Sequence, residues 1–288
     1  MHPTPLELIR LTTEYLAKRG VESARLDAEV LLAHVLGVPR IQLYVQFERP
    51  LEAVEVGAYR ELVRRRGQRE PVAHLVGRRE FWSLELAVDG RVLVPRPETE
   101  RLVEVSLERM GGAGRLVDLG TGSGAVILAL LSERPGWTGV GVDCSAGALE
   151  VAAANAAHHG LGDRVRWCRG NLFEPLQGER FGLIVSNPPY IPRGEIAGLQ
   201  PEVVGYDPHL ALDGGADGLD LVRRIAVGAA GYLQPGGVVA LEFGAGQHDA
   251  VGTLFAEAGY RDVSFHEDYE GRPRVMLAEA PVSCRTIS

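Results

Sequence analysis

From Leu116 onward the sequence alternates short apolar runs with longer helix-patterned segments, and this alternation constrains the fold more than any other feature. Leu116-Val117-Asp118-Leu119, Val140-Gly141-Val142-Asp143, Val165-Arg166-Trp167-Cys168, the run from Phe181 to Val185 and the run from Val238 to Phe243 have strand character. Helical patterns separate them, through Val126 to Leu131, Leu149 to His158, and Asp217 to about Leu233. Strands joined by such long crossovers pair in parallel. A run that is apolar at every position, as in Phe181 to Val185, predicts a strand buried on both faces. After a helix from Gln247 to Ala258, strands at Val263 to His266 and Arg274 to Ala278 lie close in sequence and predict an antiparallel pair. The expected fold is α/β, with a seven-stranded, mostly parallel sheet.

Open sheets of this kind place ligands at the carboxyl ends of their strands. Two turns stand there. The first is Asp118-Leu119-Gly120-Thr121-Gly122-Ser123-Gly124, which follows a strand and opens a helix. Its glycines let the backbone approach a ligand closely. Asp143 ends the next strand, 19 residues after Gly124, where an acid can take the hydroxyls of a ribose. The spacing Gly-x-Gly-x-Gly is not the Gly-x-Gly-x-x-Gly of a dinucleotide site. It points to a nucleoside with a short charged arm rather than a pyrophosphate. S-adenosylmethionine fits, with Asp118 facing its positively charged methionine end. The plainer reading is a packing turn with a surface Asp143.

The second turn is Ser186-Asn187-Pro188-Pro189-Tyr190. Its two prolines remove two N–H donors and keep the carbonyls. The turn is therefore rich in acceptors: the side-chain oxygen of Asn187 and the carbonyls of Asn187 and Pro188. Such a turn suits a ligand that presents an NH2 group, which brings two donors. Tyr190 adds a flat ring. The plainer reading is a Pro-Pro loop that closes a strand.

The first 70 residues differ in character. Leu6, Ile9, Thr13 and Leu16 recur at helical spacing, Ser23 can cap a second helix that ends at Gly37, and a longer helix runs from Leu51 to Arg66. Arg60, Arg64, Arg65 and Arg66 form either a solvated face or a patch for an acidic partner or RNA. Residues 71–97 alternate with period two, in Pro71 to Gly77 and Phe81 to Val88, and predict a hairpin linker. Arg96, Glu98 and Glu100 then crowd one turn. They serve either as helix-start electrostatics or as an active-site wall. The expected division is a helical domain over 1–70, a linker over 71–97, a catalytic domain over 98–280 and a tail from Pro281 to Ser288.

The 288-residue chain carries a formal net charge of −8, which argues against direct nucleic-acid binding driven by bulk charge. Cys144, Cys168 and Cys284 have no metal-ligand spacing, and an odd, sparse count fits a reducing compartment. Neither a signal peptide nor an apolar run of about 20 residues, the length of a membrane span, is visible. The expected location is the cytoplasm.

The residues of the catalytic half resemble the class I S-adenosylmethionine-dependent methyltransferases, a Rossmann-like fold. Asn187-Pro188-Pro189-Tyr190 is similar to the motif of enzymes that methylate planar NH2 groups: adenine-N6 and guanine-N2 methylases and protein glutamine-N5 methylases. The segments Ala73 to Gly77, Glu80 to Leu84, Val94 to Glu100, Ala211 to Gly215 and Asp217 to Leu219 closely resemble the peptide chain release factor glutamine methyltransferases. The related ribosomal-protein glutamine methyltransferases differ around Pro95-Arg96-Pro97-Glu98-Thr99-Glu100. The resemblance implies methylation of the glutamine in the Gly-Gly-Gln loop of class 1 release factors, and a helical N-terminal domain that contacts the release factor. It implies that Asp118, Gly120, Thr121, Gly122, Ser123, Gly124 and Asp143 hold S-adenosylmethionine, leaving S-adenosylhomocysteine as product. Asn187, Pro188, Pro189 and Tyr190 would hold the glutamine, with Arg96 nearby and Asn187 also next to the cofactor. One departure stands out. The family often has an acid and an aromatic after the third strand, against adenine, and this chain has Asn171-Leu172. The competing readings are a ribosomal-protein glutamine methylase, a base methylase acting on nucleic acid, and a binding protein without catalysis.

Overall fold

The structure is a computed structural model that describes residues 3–280. The expected tail from Pro281, with Cys284, lies outside the described residues. The chain forms two compact units. One holds the described residues up to Arg78 together with Gln200–Tyr206, and the other holds Arg79–Leu199 and the described residues from Asp207.

The first unit is helical: α1 (Pro5–Ala17), α2 (Ala24–Leu36), α3 (Gln42–Val45), α4 (Ala53–Arg66) and α5 (Val72–Val76). Thr4 starts α1 through a reciprocal capping box with Glu7, which satisfies two of the N–H groups a helix start leaves open. Leu8, Ile9, Leu31, Leu32, Leu43, Tyr59 and Leu75 share one core, and the Tyr59 hydroxyl donates to the Ala28 carbonyl at 3.1 Å. The segment Pro71 to Gly77, expected as a strand, is the helix α5. Pro71 supplies its N-terminus and Gly77, at φ +74°, its left-handed end. The hairpin instead runs through β1 (Arg78–Phe81) and β2 (Leu84–Ala87).

Three of the four arginines in the run have partners within this unit, while Arg60 is exposed. Arg64 pairs with Glu61 and Arg65 with Glu70. Arg66 is buried and donates to Asp27 at 2.6 Å and to Glu202 at 2.9 Å, and Arg69 meets the other oxygen of Glu202 at 2.6 Å. A buried guanidinium needs such partners, because an unpaired buried charge is costly.

The second unit continues with α6 (Glu100–Arg109), β3 (Gly114–Leu119), α7 (Ala125–Glu133), β4 (Trp137–Asp143), α8 (Ala146–His158), β5 (Val165–Arg169) and β6 (Phe181–Ser186). The short helix α9 (Pro201–Tyr206) belongs to the first unit. Then come α10 (Asp220–Ala229), β7 (Leu233–Glu242), α11 (His248–Glu257), β8 (Arg261–Glu267) and β9 (Pro273–Glu279). The seven strands lie in the order β5-β4-β3-β6-β7-β9-β8. The first five in that order are parallel, and β9 runs antiparallel to both β7 and β8.

Period-two alternation sends the strand side chains into two cores. Leu116, Leu183, Val185, Val238 and Ala240 pack on one face with α6 and α7. Val117, Leu119, Val140, Ile184 and Leu241 pack on the other with α10 and α11. The chain order reverses at β3, whose neighbours are β4 and β6. A crevice opens at the carboxyl ends of strands where the order reverses in this way. In register, Leu119 lies beside Ser186, and the Ser186 hydroxyl donates to the Leu119 carbonyl at 2.6 Å. The two turns singled out in the sequence therefore leave the sheet side by side.

Candidate active site

The glycine loop is held from beneath by its own neighbours. Gly120 and Thr121 donate their N–H groups to the Val142 carbonyl at 2.8 and 3.0 Å. Thr121 donates its hydroxyl to Asp118 at 2.7 Å. Asp118 is buried and is first of all a loop-forming residue. Burial pushes its carboxyl up to about 7, the charge of Asp143 adds to the rise, and the Thr121 hydroxyl opposes it. Gly120 and Gly122 have positive φ and open space where a side chain would stand, so this stretch of backbone is bare on its outer side, as a ligand cradle must be.

Asp143 ends β4 and points into the same loop. One oxygen accepts from the Gly122 N–H and the other from the Ser145 N–H, both at 2.9 Å. The Cys144 thiol also donates to the oxygen that holds Ser145, at 3.8 Å, and the oxygen that holds Gly122 keeps a lone pair for a ligand hydroxyl. Leu172 is buried at φ +55°, a left-handed conformation that a leucine adopts only when its surroundings impose it. Next to it Asn171 is exposed, its N–H held by Glu174 at 3.1 Å. The donor set fits an adenosine bearing a charged arm: a bare glycine backbone, an acid for the ribose, and an apolar residue beside an amide for the base.

The second turn is fixed by residues far away in sequence. Asn187 donates its side-chain Nδ2 to the Thr99 hydroxyl oxygen at 3.1 Å, and no protein donor among the described residues reaches its Oδ1. The Tyr190 hydroxyl donates to Glu242 at 3.2 Å, and its carbonyl accepts from Gln247 at 3.0 Å. Burial pushes the Tyr190 phenol well above its ordinary range. The Ala211 to Leu219 stretch lies against the turn's backbone. Ile191 donates to the Leu212 carbonyl, and Gly214 donates to the Ile191 carbonyl. A Cβ at Gly218 would stand 2.2 Å from the Tyr190 carbonyl oxygen, so only glycine fits there.

Arg96 is engaged elsewhere than in an open wall, since its guanidinium meets the buried Asp207 at 2.7 Å. Glu100 accepts from the Trp82 N–H at 2.9 Å and anchors the hairpin. Four residues of this region were not singled out from the sequence: Thr99, Asn155, Glu242 and Gln247. Asn155 is buried. Its amide takes both backbone groups of Ala87 and the Ser123 carbonyl, tying β2 to the glycine loop. A polar residue within the run Ala152 to Ala157 was its signal. That of Glu242 was an acid closing an apolar strand, the same pattern that drew attention to Asp143.

Two family models match the chain: a PrmC N-terminal domain over residues 7–77 and a methyltransferase small domain over 98–198. A release factor glutamine methyltransferase from Geobacter sulfurreducens is 46% identical over 92% of this chain and 93% of its own length. The chain belongs to the release factor glutamine methyltransferase family. Solved structures with lower identity share the fold of the catalytic unit. A methyltransferase from Pyrococcus furiosus superposes with a TM-score of 0.53 at 18% identity, over 69% of this chain and 89% of that one. A 16S rRNA methyltransferase from T. thermophilus, in complex with AdoMet and guanosine, superposes with a TM-score of 0.51 at 22% identity, over 70% of this chain and 49% of that one.

Proposed function

We propose that the protein transfers the methyl group of S-adenosylmethionine to the side-chain amide nitrogen, N5, of the glutamine in the Gly-Gly-Gln motif of class 1 peptide chain release factors. The observation that carries this reading is the orientation of Asn187. Its NH2 is spent on Thr99, so its oxygen is free to receive a donor at the sheet edge next to the glycine loop. The name of the Geobacter sulfurreducens relative supplies the substrate class. Gly120 to Gly124, Asp143, Asn171 and Leu172 would hold the cofactor, with Asp118 shaping the loop. Asn187, Pro188, Pro189 and Tyr190 would hold the glutamine, and Arg96 would support that side of the site through Asp207. The helical unit would recognise the release factor, and the enzyme would act in the cytoplasm.

An amide nitrogen is a weak nucleophile because its lone pair is delocalised into the carbonyl. When bound, S-adenosylmethionine supplies an electrophilic methyl group. The chain's own part is positioning and electrostatics. The oxygens of Asn187 and Pro188 would take the two N–H groups and stop the amide from rotating, and orientation of this kind contributes up to roughly 7–11 kcal/mol to such barriers. The same acceptors stabilise positive charge as it grows on the nitrogen, at no cost of rearrangement. The test is incubation with labelled S-adenosylmethionine and a purified class 1 release factor, followed by peptide mapping. A single methyl group on the glutamine side chain is expected. Methyl transfer to another residue, or to nucleic acid instead, would overturn the reading.

A further inference from the structure

Tyr190 is gripped at both ends by residues at the close of β7 and in the turn after it. Its hydroxyl donates to Glu242, the last residue of that strand, at 3.2 Å, and its carbonyl accepts from the Gln247 side-chain NH2 at 3.0 Å. The oxygen of the same side chain accepts the Gly244 N–H at 2.8 Å, and its NH2 also reaches the Asp217 carbonyl at 3.4 Å. Gln247 thus joins three segments: the substrate turn, the loop at Asp217 and the turn after β7. Leu241 is in register with Ser186, so Glu242 and Asn187 leave neighbouring parallel strands side by side.

Packing alone does not explain Glu242, which is 1% exposed. One of its oxygens takes the Tyr190 hydroxyl, and the other has no hydrogen-bond partner among the described residues. Burying a carboxyl with an unfilled oxygen is costly. Val239, Ala240 and Leu241 before it are apolar and fully buried, and one more apolar residue would close the strand without that cost. What the acid adds is an acceptor for the phenol.

The grip fixes the ring in two respects. A phenol hydroxyl lies on the axis about which the ring turns, so the bond to Glu242 fixes where that axis points and leaves the ring free to turn about it. Bare backbone at the ring edge limits the turning. A Cβ at Gly244 would stand 3.2 Å from the ring carbon Cδ2, and one at Gly218 would stand 2.2 Å from the Tyr190 carbonyl oxygen and 2.5 Å from Gln247 Nε2. Gln247 holds the Gly244 backbone in that place through its N–H.

Given the reading of Tyr190 as part of the glutamine site, we infer that Glu242 and Gln247 are positioning residues that hold the Tyr190 ring at a fixed tilt, as a rigid wall for the planar substrate amide. The lone pair of an amide nitrogen stands perpendicular to the amide plane, so the tilt of that plane decides whether the nitrogen faces the methyl group. The Asn187 and Pro188 oxygens hold the amide by its edge, and the ring steadies its face. A ring released at either end leaves both acceptors in place for binding. It lets the amide rock out of line, which lowers kcat and leaves KM as it was.

The test uses the full-length protein, a purified class 1 release factor and S-adenosylmethionine, with kcat and release factor KM from steady-state assays and cofactor affinity from calorimetry. Wild-type protein must first methylate the release factor glutamine, and Tyr190→Ala must lose rate. If either fails, the proposed role of Tyr190 fails on its own account, before Glu242 or Gln247 is touched. With both in hand, Glu242→Leu, which removes the acceptor at similar size, is expected to lose about tenfold in kcat, the rate equivalent of one hydrogen bond. Glu242→Gln keeps an oxygen for the phenol and should recover most of that loss. Gln247→Met, which keeps the length and removes both polar ends, should lose kcat on the same scale. In all three, release factor KM and cofactor affinity should stay within about twofold of wild type, the scatter expected of independent sites. In a Tyr190→Phe background, with no hydroxyl to hold, Glu242→Leu should cost no more than about twofold further. Wild-type kcat in Glu242→Leu or Gln247→Met would overturn the inference. So would equal losses in Glu242→Leu and Glu242→Gln, or losses that multiply in the double variant, as a purely structural role for Glu242 requires. If Glu242→Leu does not fold, Tyr190→Phe removes the same bond from its other end, and wild-type kcat there would overturn the inference.

Discussion

The two turns at the switch point of the sheet are built in opposite ways. The glycine loop closes on itself: Asp118 takes the Thr121 hydroxyl three residues on, and Asp143, at the end of the adjacent strand, takes the Gly122 N–H. The Asn187 turn is held by residues 88, 52 and 57 positions away, namely Thr99, Glu242 and Gln247. One is a local device that any strand–loop–helix unit can carry. The other exists only once the whole sheet has assembled. On the proposed reading the first binds the cofactor and the second aligns the substrate amide, and changes in the two should separate in the kinetics.

The largest effect is expected from Asn187→Ala, which leaves the substrate amide half held; kcat for release factor methylation should fall ~10²–10³-fold in steady-state assays, by analogy with loss of one preorganised donor or acceptor. Asp143→Ala should act on the other side. It removes a carboxylate that anchors Gly122 and is placed to take ribose hydroxyls, each charge-assisted bond contributing ~1.5–3 kcal/mol. Calorimetry should show S-adenosylmethionine affinity reduced by about a hundredfold or more on that scale, with kcat at saturating cofactor little changed. A large kcat loss with unchanged affinity would merge the two sites. Gly218→Ala sharpens the contrast from outside both turns. Its Cβ would meet the Tyr190 carbonyl, and its φ of +80° disfavours any side chain, so thermal or denaturant unfolding should show a loss of ~1–3 kcal/mol. The folded fraction should lose kcat and keep its cofactor. The smallest effect is expected from Asn171→Ala, whose exposed side chain offers one neutral hydrogen bond; cofactor affinity should weaken by ~0.5–1.5 kcal/mol, and no change would remove Asn171 from the adenine side.

What could be read from the sequence follows the same division. Strand–helix alternation, the glycine loop and Asp143 depend on neighbours in sequence, and all stand where the pattern indicated. The segment Pro71 to Gly77, expected as part of the hairpin and found as the helix Val72–Val76, shows the limit of periodicity over so few residues. Alternation that short also suits a single helical turn, and Pro71 and Gly77 were the deciding signals. The arginine run was open between a solvated face and a partner patch because its answer is tertiary: Asp27 and Glu202 claim Arg66 from 39 and 136 positions away. The helix α9 that carries Glu202 is six residues long, too short to leave a periodic signature. It also means that a deletion of residues 1–70 would not remove a whole unit, since Gln200–Tyr206 folds with the helices that the deletion takes away. Asn187 was legible as a candidate site residue, but the orientation of its amide was not, because its partner Thr99 lies 88 positions away in the turn before α6.

The most direct test of the division is the affinity of Asn187→Ala for S-adenosylmethionine, titrated by calorimetry beside wild type and Asp143→Ala. The account predicts that Asn187→Ala binds the cofactor within about twofold of wild type, the scatter of independent sites, while its methyl transfer to release factor is all but lost. Cofactor binding weakened in Asn187→Ala as much as in Asp143→Ala would contradict it.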